Sequence, residues 1–364
     1  MVALWTAVVL VAGVVVVVIA GGASQPALQF QQVGHWFYNV AQKALLHVDG
    51  GTKQVDAKVG GVDASAGSTA LAGDREVFLV SGKQVVVFGK STLRVDSKVD
   101  VDLEEEPVGL EVVGGPYLVY REGGTIVRLG RALKRIDAGG PLADPVATSD
   151  GTVWVQRTTA RSLCRLARDA GAVDCPAEVP EGHIGALSVV DDHAVFVDTT
   201  AGAAHLLSAD GMSDPVRLDV PLPDDARVAA HGVRGRLPVL DPKRNTLLLA
   251  DVSGLGTKKS VAPVLPVALE AGEYSAPVSS QDAVILLDLT RKRLLTFGPD
   301  GQRKADTPLR AESARITRGE DGRVYVDDPT GEHLFVVDGG GRVTPVDVAA
   351  ESAPTARTEP IPPP

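Results

Sequence analysis

The side chains with the greatest capacity for chemistry are acids that recur at one place in a repeating pattern. Asp198, Asp241, Asp288 and Asp327 each close a short apolar run, as in Val195-Phe196-Val197-Asp198 and Val324-Tyr325-Val326-Asp327. Arg121 takes that place in another copy, and Arg157 follows the run Val153-Trp154-Val155-Gln156. If loops carrying these residues converged on one face, a ring of carboxylates would bind a cation or a cationic ligand. The same aspartates also suit the start of a tight turn, because a carboxylate accepts backbone N–H groups two residues on. The turn reading fits better, since turn formers follow directly in Asp241-Pro242 and Asp328-Pro329.

Other chemistry is sparse. Glu104-Glu105-Glu106-Pro107 reads as a solvated acidic loop, and Asp191-Asp192-His193 as an exposed turn. The seven histidines show no His-x-His or His-Glu-x-x-His spacing, so no resident metal is expected. There is no Gly-x-Ser-x-Gly elbow, no phosphate-binding Gly-rich loop, and no motif that calls for a cofactor. Arg157, Arg161, Arg165 and Arg168 form a local basic stretch. They read as solvent-facing residues of an outer strand, or as a face toward anionic wall polymer or lipid. The net charge of −10 and pI near 5.2 argue against a nucleic-acid partner. Cys164 and Cys175, the two cysteines, predict a disulfide in an exported chain.

The elements that must position these residues repeat. Apolar anchors stand at Trp36-Phe37-Tyr38, Val77-Phe78-Leu79, Tyr117-Leu118-Val119, Val153-Trp154-Val155, Val195-Phe196-Val197, Leu237-Pro238-Val239, Val284-Ile285-Leu286 and Val324-Tyr325-Val326. Successive anchors lie about 40 residues apart, the period of a four-stranded propeller blade. A weaker strand and a turn precede each anchor, as at Val146-Ala147-Thr148 before Asp150-Gly151. Helical periodicity is missing; the best stretch, Asp56 to Leu71, is broken by Gly60-Gly61 and Gly67. The 39 glycines and 24 prolines then have a cause in repeated tight turns. We therefore expect an all-β chain: an eight-bladed β-propeller over residues 28–348, with seven blades as the alternative.

The ends differ from this middle. No Asp, Glu, Lys or Arg precedes Lys43, and residues 2–20 are almost continuously apolar. A span needs roughly 20 such residues, so 1–27 reads as one transmembrane helix or, if cleaved after Gly21-Gly22-Ala23, as a signal segment. The flank lacks the usual Lys or Arg, so charge gives no orientation; the expectation is a cytoplasmic N-terminus and an extracytoplasmic propeller. Residues 349–364 are Pro-, Ala- and Thr-rich, the composition of a linker or tail without a fold of its own.

The Val-x-Val-Asp strand ends and the Asp-Gly turns at Asp210, Asp300 and Asp321 resemble those of the lactonase-like and YncE-like propeller superfamily. His35-Trp36-Phe37-Tyr38-Asn39 with His47-Val48-Asp49-Gly50 is similar to the start of certain actinobacterial envelope proteins. In those, a membrane segment precedes a propeller and then fibronectin type III domains. The 364 residues leave no room for such a domain, so the resemblance implies a short member or a chain that stops in the linker. The expected function is a membrane-tethered, extracytoplasmic binding or scaffolding module for a protein or cell-wall polymer. The alternatives are a lactonase, lyase or glycan hydrolase with its site at the channel mouth, and an extracytoplasmic sensor.

Overall fold

A computed structural model describes residues 34–257, 261–310, 313–319, 321–349 and, for the backbone, 355–357. It is an eight-bladed β-propeller. Blade I holds Gly34–Asn39, Ala44–Asp49 and Gln54–Gly60; blade II holds Thr69–Ala72, Glu76–Ser81, Gln84–Gly89 and Val95–Asp100. Blades III and IV begin at Val108–Leu110 and Val146–Ala147, and blades V and VI at Gly185–Val190 and Arg227–Val228. Blades VII and VIII begin at Val278–Ser279 and Arg315–Arg318. Within each blade successive strands pair antiparallel, stepping from the channel outward. Seven of the eight apolar anchors of the sequence lie on strands that pair in the middle of a blade, such as His193–Asp198 and Val284–Asp288, and the Trp36-Phe37-Tyr38 anchor lies on the first described strand of blade I.

Middle strands are buried on both faces, whereas the outer strand Val95–Asp100 is largely exposed. A four-stranded sheet alone leaves both faces wet, and stacking blades radially removes that surface. Eight apolar clusters do this work, one for each neighbouring pair. Trp36, Leu45, Val77 and Leu79 join blades I and II, and so on around the ring. The last cluster packs Phe37, Leu46 and Val48 of blade I against Tyr325, Leu334 and Val336 of blade VIII. Asn39 also donates through its side-chain amide to the Gly331 carbonyl at 2.6 Å, and the Val40 N–H donates to the Thr330 carbonyl at 2.8 Å. The ring is therefore closed by the same packing that builds it.

Twist comes from bulges. In blades II, IV and VII the register slips where the third strand meets the fourth, at Val87/Phe88, Leu163/Arg165 and Thr296/Phe297, and in blade I where Ala44–Asp49 meets Gln54–Gly60, at His47/Val48. An extra residue there bends the outer strand and increases its right-handed twist. Cys164 and Cys175 join blade IV's third and fourth strands through a disulfide.

Two features differ from expectation. Thr355–Arg357, in the stretch read as a tail without structure, pairs parallel to Gln54–Gly60. That outer strand offers an open edge of backbone donors and acceptors, which a passing chain satisfies. Arg157, Arg161, Arg165 and Arg168 do not form one strip. The Arg157 Nε donates to the Ala138 carbonyl, Arg161 takes a left-handed φ of 56°, and Arg165 and Arg168 pair with Asp174 and Asp169 at 3.3 and 3.7 Å. Among the described residues no helix is long and apolar enough to cross a membrane; the span expected over residues 2–20 lies outside them.

Candidate functional site

The inner strands of blades II–VIII, with the first strand of blade I, surround a central cavity of about 980 Å³. Every blade contributes to its wall, from His35 and Trp36 on blade I to Arg315 and Arg318 on blade VIII. Blades V and VI are bridged directly by backbone. There the Val189 N–H donates to the Ala230 carbonyl at 2.9 Å and the Gly232 N–H to the Val189 carbonyl at 2.7 Å, so two inner strands pair in parallel.

One mouth is formed by the hairpins that follow the inner strands, and side chains stitch it from blade to blade. Asp191 and Asp192 both take positive φ, 47° and 63°, in the two-residue turn between Gly185–Val190 and His193–Asp198. Such a turn matches the strand twist and favours Asp at these positions. The turn points both carboxylates sideways. Asp192 accepts the Ser149 N–H of blade IV at 2.7 Å and its hydroxyl at 2.5 Å; Asp191 accepts the Gly235 N–H of blade VI at 3.1 Å. Arg234 then ion-pairs with Asp282 of blade VII, whose own N–H donates to the Gly339 carbonyl of blade VIII at 2.8 Å. The Arg234 hydrogen bond holds the Asp282 carboxyl below its usual range. At Gly151, φ is 87° and a side chain would strike the Val113 carbonyl of blade III, so only glycine fits that contact.

The cavity wall is electrically uneven. Arg315 pairs with Asp327, and the same guanidinium donates to the Gly67 carbonyl at 3.1 Å. Burial pushes Asp327 upward and Arg315 opposes it. The Arg318 guanidinium has no hydrogen bond or ion pair among the described residues, and its Nε is buried without a partner. Burial lowers its pKa. The acid that acts on it, Asp321, is engaged by the Arg323 guanidinium at 2.9 Å and the Tyr325 hydroxyl at 2.8 Å. Burial, then the charge of Arg318, pushes the His231 imidazole down to about 3. His35, stacked on Tyr325 at 4.8 Å, is pushed down to about 3 by burial first and by His47 and Arg315 after it. Both rings are neutral at pH 7. The Trp36 indole N–H and the Ser279 hydroxyl are also buried without partners.

Most of the sequence-derived candidates sit elsewhere. Asp198, Asp241, Asp288 and Asp327, with Arg121 and Arg157, stand at or just past the ends of equivalent strands, at the opposite end of the blades from the stitched mouth. Of these, Asp327 lines the cavity. Asp198, Asp241 and Asp288 are buried in turns, accepting the N–H groups of Ala201, Arg244 and Arg291 at 2.8, 3.0 and 2.9 Å. Asp198 also meets His183 at 2.5 Å, and Arg121 pairs with Asp144 at 2.6 Å on the surface. The acidic loop is likewise engaged: Glu104 pairs with Lys83, and Glu105 accepts the N–H groups of Glu122 and Gly123. No group of three or more metal-ligating side chains occurs among the described residues.

Sequence reasoning missed Arg318 and His231. The signal was available: Arg315-Ile316-Thr317-Arg318 places charge on an inner strand where blades IV and V carry Val146-Ala147 and Leu187-Ser188-Val189-Val190.

No protein-family model and no curated protein sequence matches the chain. Solved structures do. Streptogramin B lyase matches with a TM-score of 0.55 at 12% identity, covering 78% of this chain and 95% of that one. BamB from Moraxella catarrhalis matches with a TM-score of 0.54 at 11% identity, covering 83% and 90%. Dihydro-heme d1 dehydrogenase NirN, in complex with DHE, gives 0.55 at 13%, covering 89% and 76%. These likenesses place the chain among β-propeller proteins by fold. They do not define one activity, since lyase and dehydrogenase are both among the names and a fold hosts many functions.

Proposed function

We propose that this propeller is a binding or scaffolding module of the cell envelope, tethered to the membrane through residues 2–20 and held on its extracytoplasmic side. The carrying observation is how the carboxylates around the channel are used. Asp191, Asp192, Asp282 and Asp327 tie neighbouring blades or a partner arginine, so they rigidify the ring instead of standing ready for proton transfer. A rigid ring presents its inter-strand loops at low entropic cost, which is what a docking platform requires. The disulfide and the apolar N-terminal stretch support an exported location. The fibronectin-associated envelope proteins that the N-terminal motif resembles supply the setting. The test is affinity purification of the tagged full chain from detergent-solubilised envelope after crosslinking in cells. One discrete partner or wall polymer, enriched over an unrelated tethered domain, is the expected result. Recovery of the bait alone refutes the proposal.

A further inference from the structure

The wall of blades VI–VIII carries a cation and hydrogen-bond donors that the protein itself leaves unanswered. Ser279 and Arg318 occupy the same register on neighbouring inner strands, opposite Val284 and Val324 beside their hairpins. His231 lines the cavity from the next blade and lies close enough to feel the charge of Arg318. Ser279 is 1% exposed with its hydroxyl unpartnered, and Arg318 has no anion in contact among the described residues. The other charges facing this wall are already matched. Arg315 is held by Asp327, Arg234 by Asp282, and Asp321 by Arg323 and Tyr325. Asp191 and Asp192 are occupied by N–H groups and a hydroxyl of adjoining blades. Asp74 of blade II is exposed, and Glu111 of blade III accepts the Ala72 N–H at 2.7 Å. One guanidinium is therefore left over.

A desolvated guanidinium is costly unless it meets an anion, and it is matched best by a planar carboxylate or a phosphate. The cavity is also of the size that encloses a small organic ligand, larger than a bare ion requires. We infer that the channel binds a small organic anion whose carboxylate or phosphate group is taken by Arg318, with Ser279 donating a second hydrogen bond and His231 packing beside it. This site is separate from the loops that the proposed envelope partner would contact, so either reading can fail without the other.

Trp36 lines the same cavity and supplies the readout. The full chain is titrated with inorganic phosphate and, separately, with succinate, following tryptophan emission and using Trp36→Phe to confirm the source. The inference predicts a saturable response to at least one anion, weakened at least tenfold in Arg318→Gln and partly restored in Arg318→Lys. It also predicts that Arg318→Gln melts no earlier than the parent when no anion is present, because an unmatched, partly desolvated charge is removed. The preferred anion separates the two sources of the oxyanion. No saturation by either anion up to about 50 mM overturns the inference. So does equal affinity in Arg318→Gln. An earlier melt of that variant with unchanged anion response assigns Arg318 a structural role and overturns it as well.

Discussion

Lowering the pH from 7 to 5 should destabilise the ring through two histidines, and the size of the effect follows from their burial. His35 is 5% exposed, stacked on Tyr325, with Nδ1 unpartnered; His231 lines the cavity beside Arg318. Each has its folded pKa depressed from 6.5 to about 3. A depressed pKa means the unfolded chain takes up protons before the folded one does. The stabilising contribution is therefore complete above pH 6.5 and is lost progressively down to about 3. Between pH 7 and 5 each imidazole accounts for about 2 kcal/mol, so the pair accounts for about 4 kcal/mol. With an unfolding entropy of about 2 cal/mol/K per residue over roughly 300 residues, this corresponds to a Tm decrease of about 6 °C. Carboxylates also titrate over this range, so the assay compares the parent with His35→Gln/His231→Gln by calorimetry at both pH values. Their contribution is common to both proteins. The double variant should lose about 6 °C less than the parent on acidification, and each single variant about half of that. Equal losses in parent and double variant would refute the assignment of both rings as buried and neutral.

Two further outcomes follow from the blade chemistry. Asp288→Ala leaves the Arg291 N–H and guanidinium without the acceptor they now meet at 2.9 and 3.1 Å. Stability should fall by about 1–3 kcal/mol, with Asp288→Asn less severe, as read by Tm; an unchanged Tm would argue against the turn role. Replacing Cys164 and Cys175 together by serine opens a loop with a sequence separation of 11. The expected cost is about 2–4 kcal/mol, and reducing agent should lower the Tm of the parent to match the double variant.

The propeller was legible because its strongest signals are local. Each blade has a doubly buried middle strand, and a run such as Val195-Phe196-Val197 announces it without knowledge of its neighbours. The turn role of Asp198, Asp241 and Asp288 was legible for the same reason, since the acceptor and its N–H donor lie three residues apart. The channel was not legible. Its wall joins His231, Ser279 and Arg318, about one blade apart in sequence, and their meeting depends on radial placement that no local pattern encodes. The inner strands are also short, down to the two residues Val278–Ser279, which leaves little periodicity to read. The stitched mouth escaped notice similarly. Asp191 and Asp192 read as an exposed turn, and that turn's positive φ values are what send the carboxylates to blades IV and VI.

The most direct test of a tethered, partner-binding propeller is a surface-labelling and crosslinking measurement in intact cells. The described cysteines are bonded to each other, so a single introduced thiol reports alone. Val113→Cys, 48% exposed at the stitched mouth, and Leu289→Cys, 46% exposed at the other end of the blades, sample both faces. A membrane-impermeant, thiol-directed crosslinker should label both variants before lysis and convert at least one of them to a single discrete adduct of higher mass. Thiols that react only after lysis would contradict the extracytoplasmic placement, and labelling at both faces without an adduct would contradict the binding role.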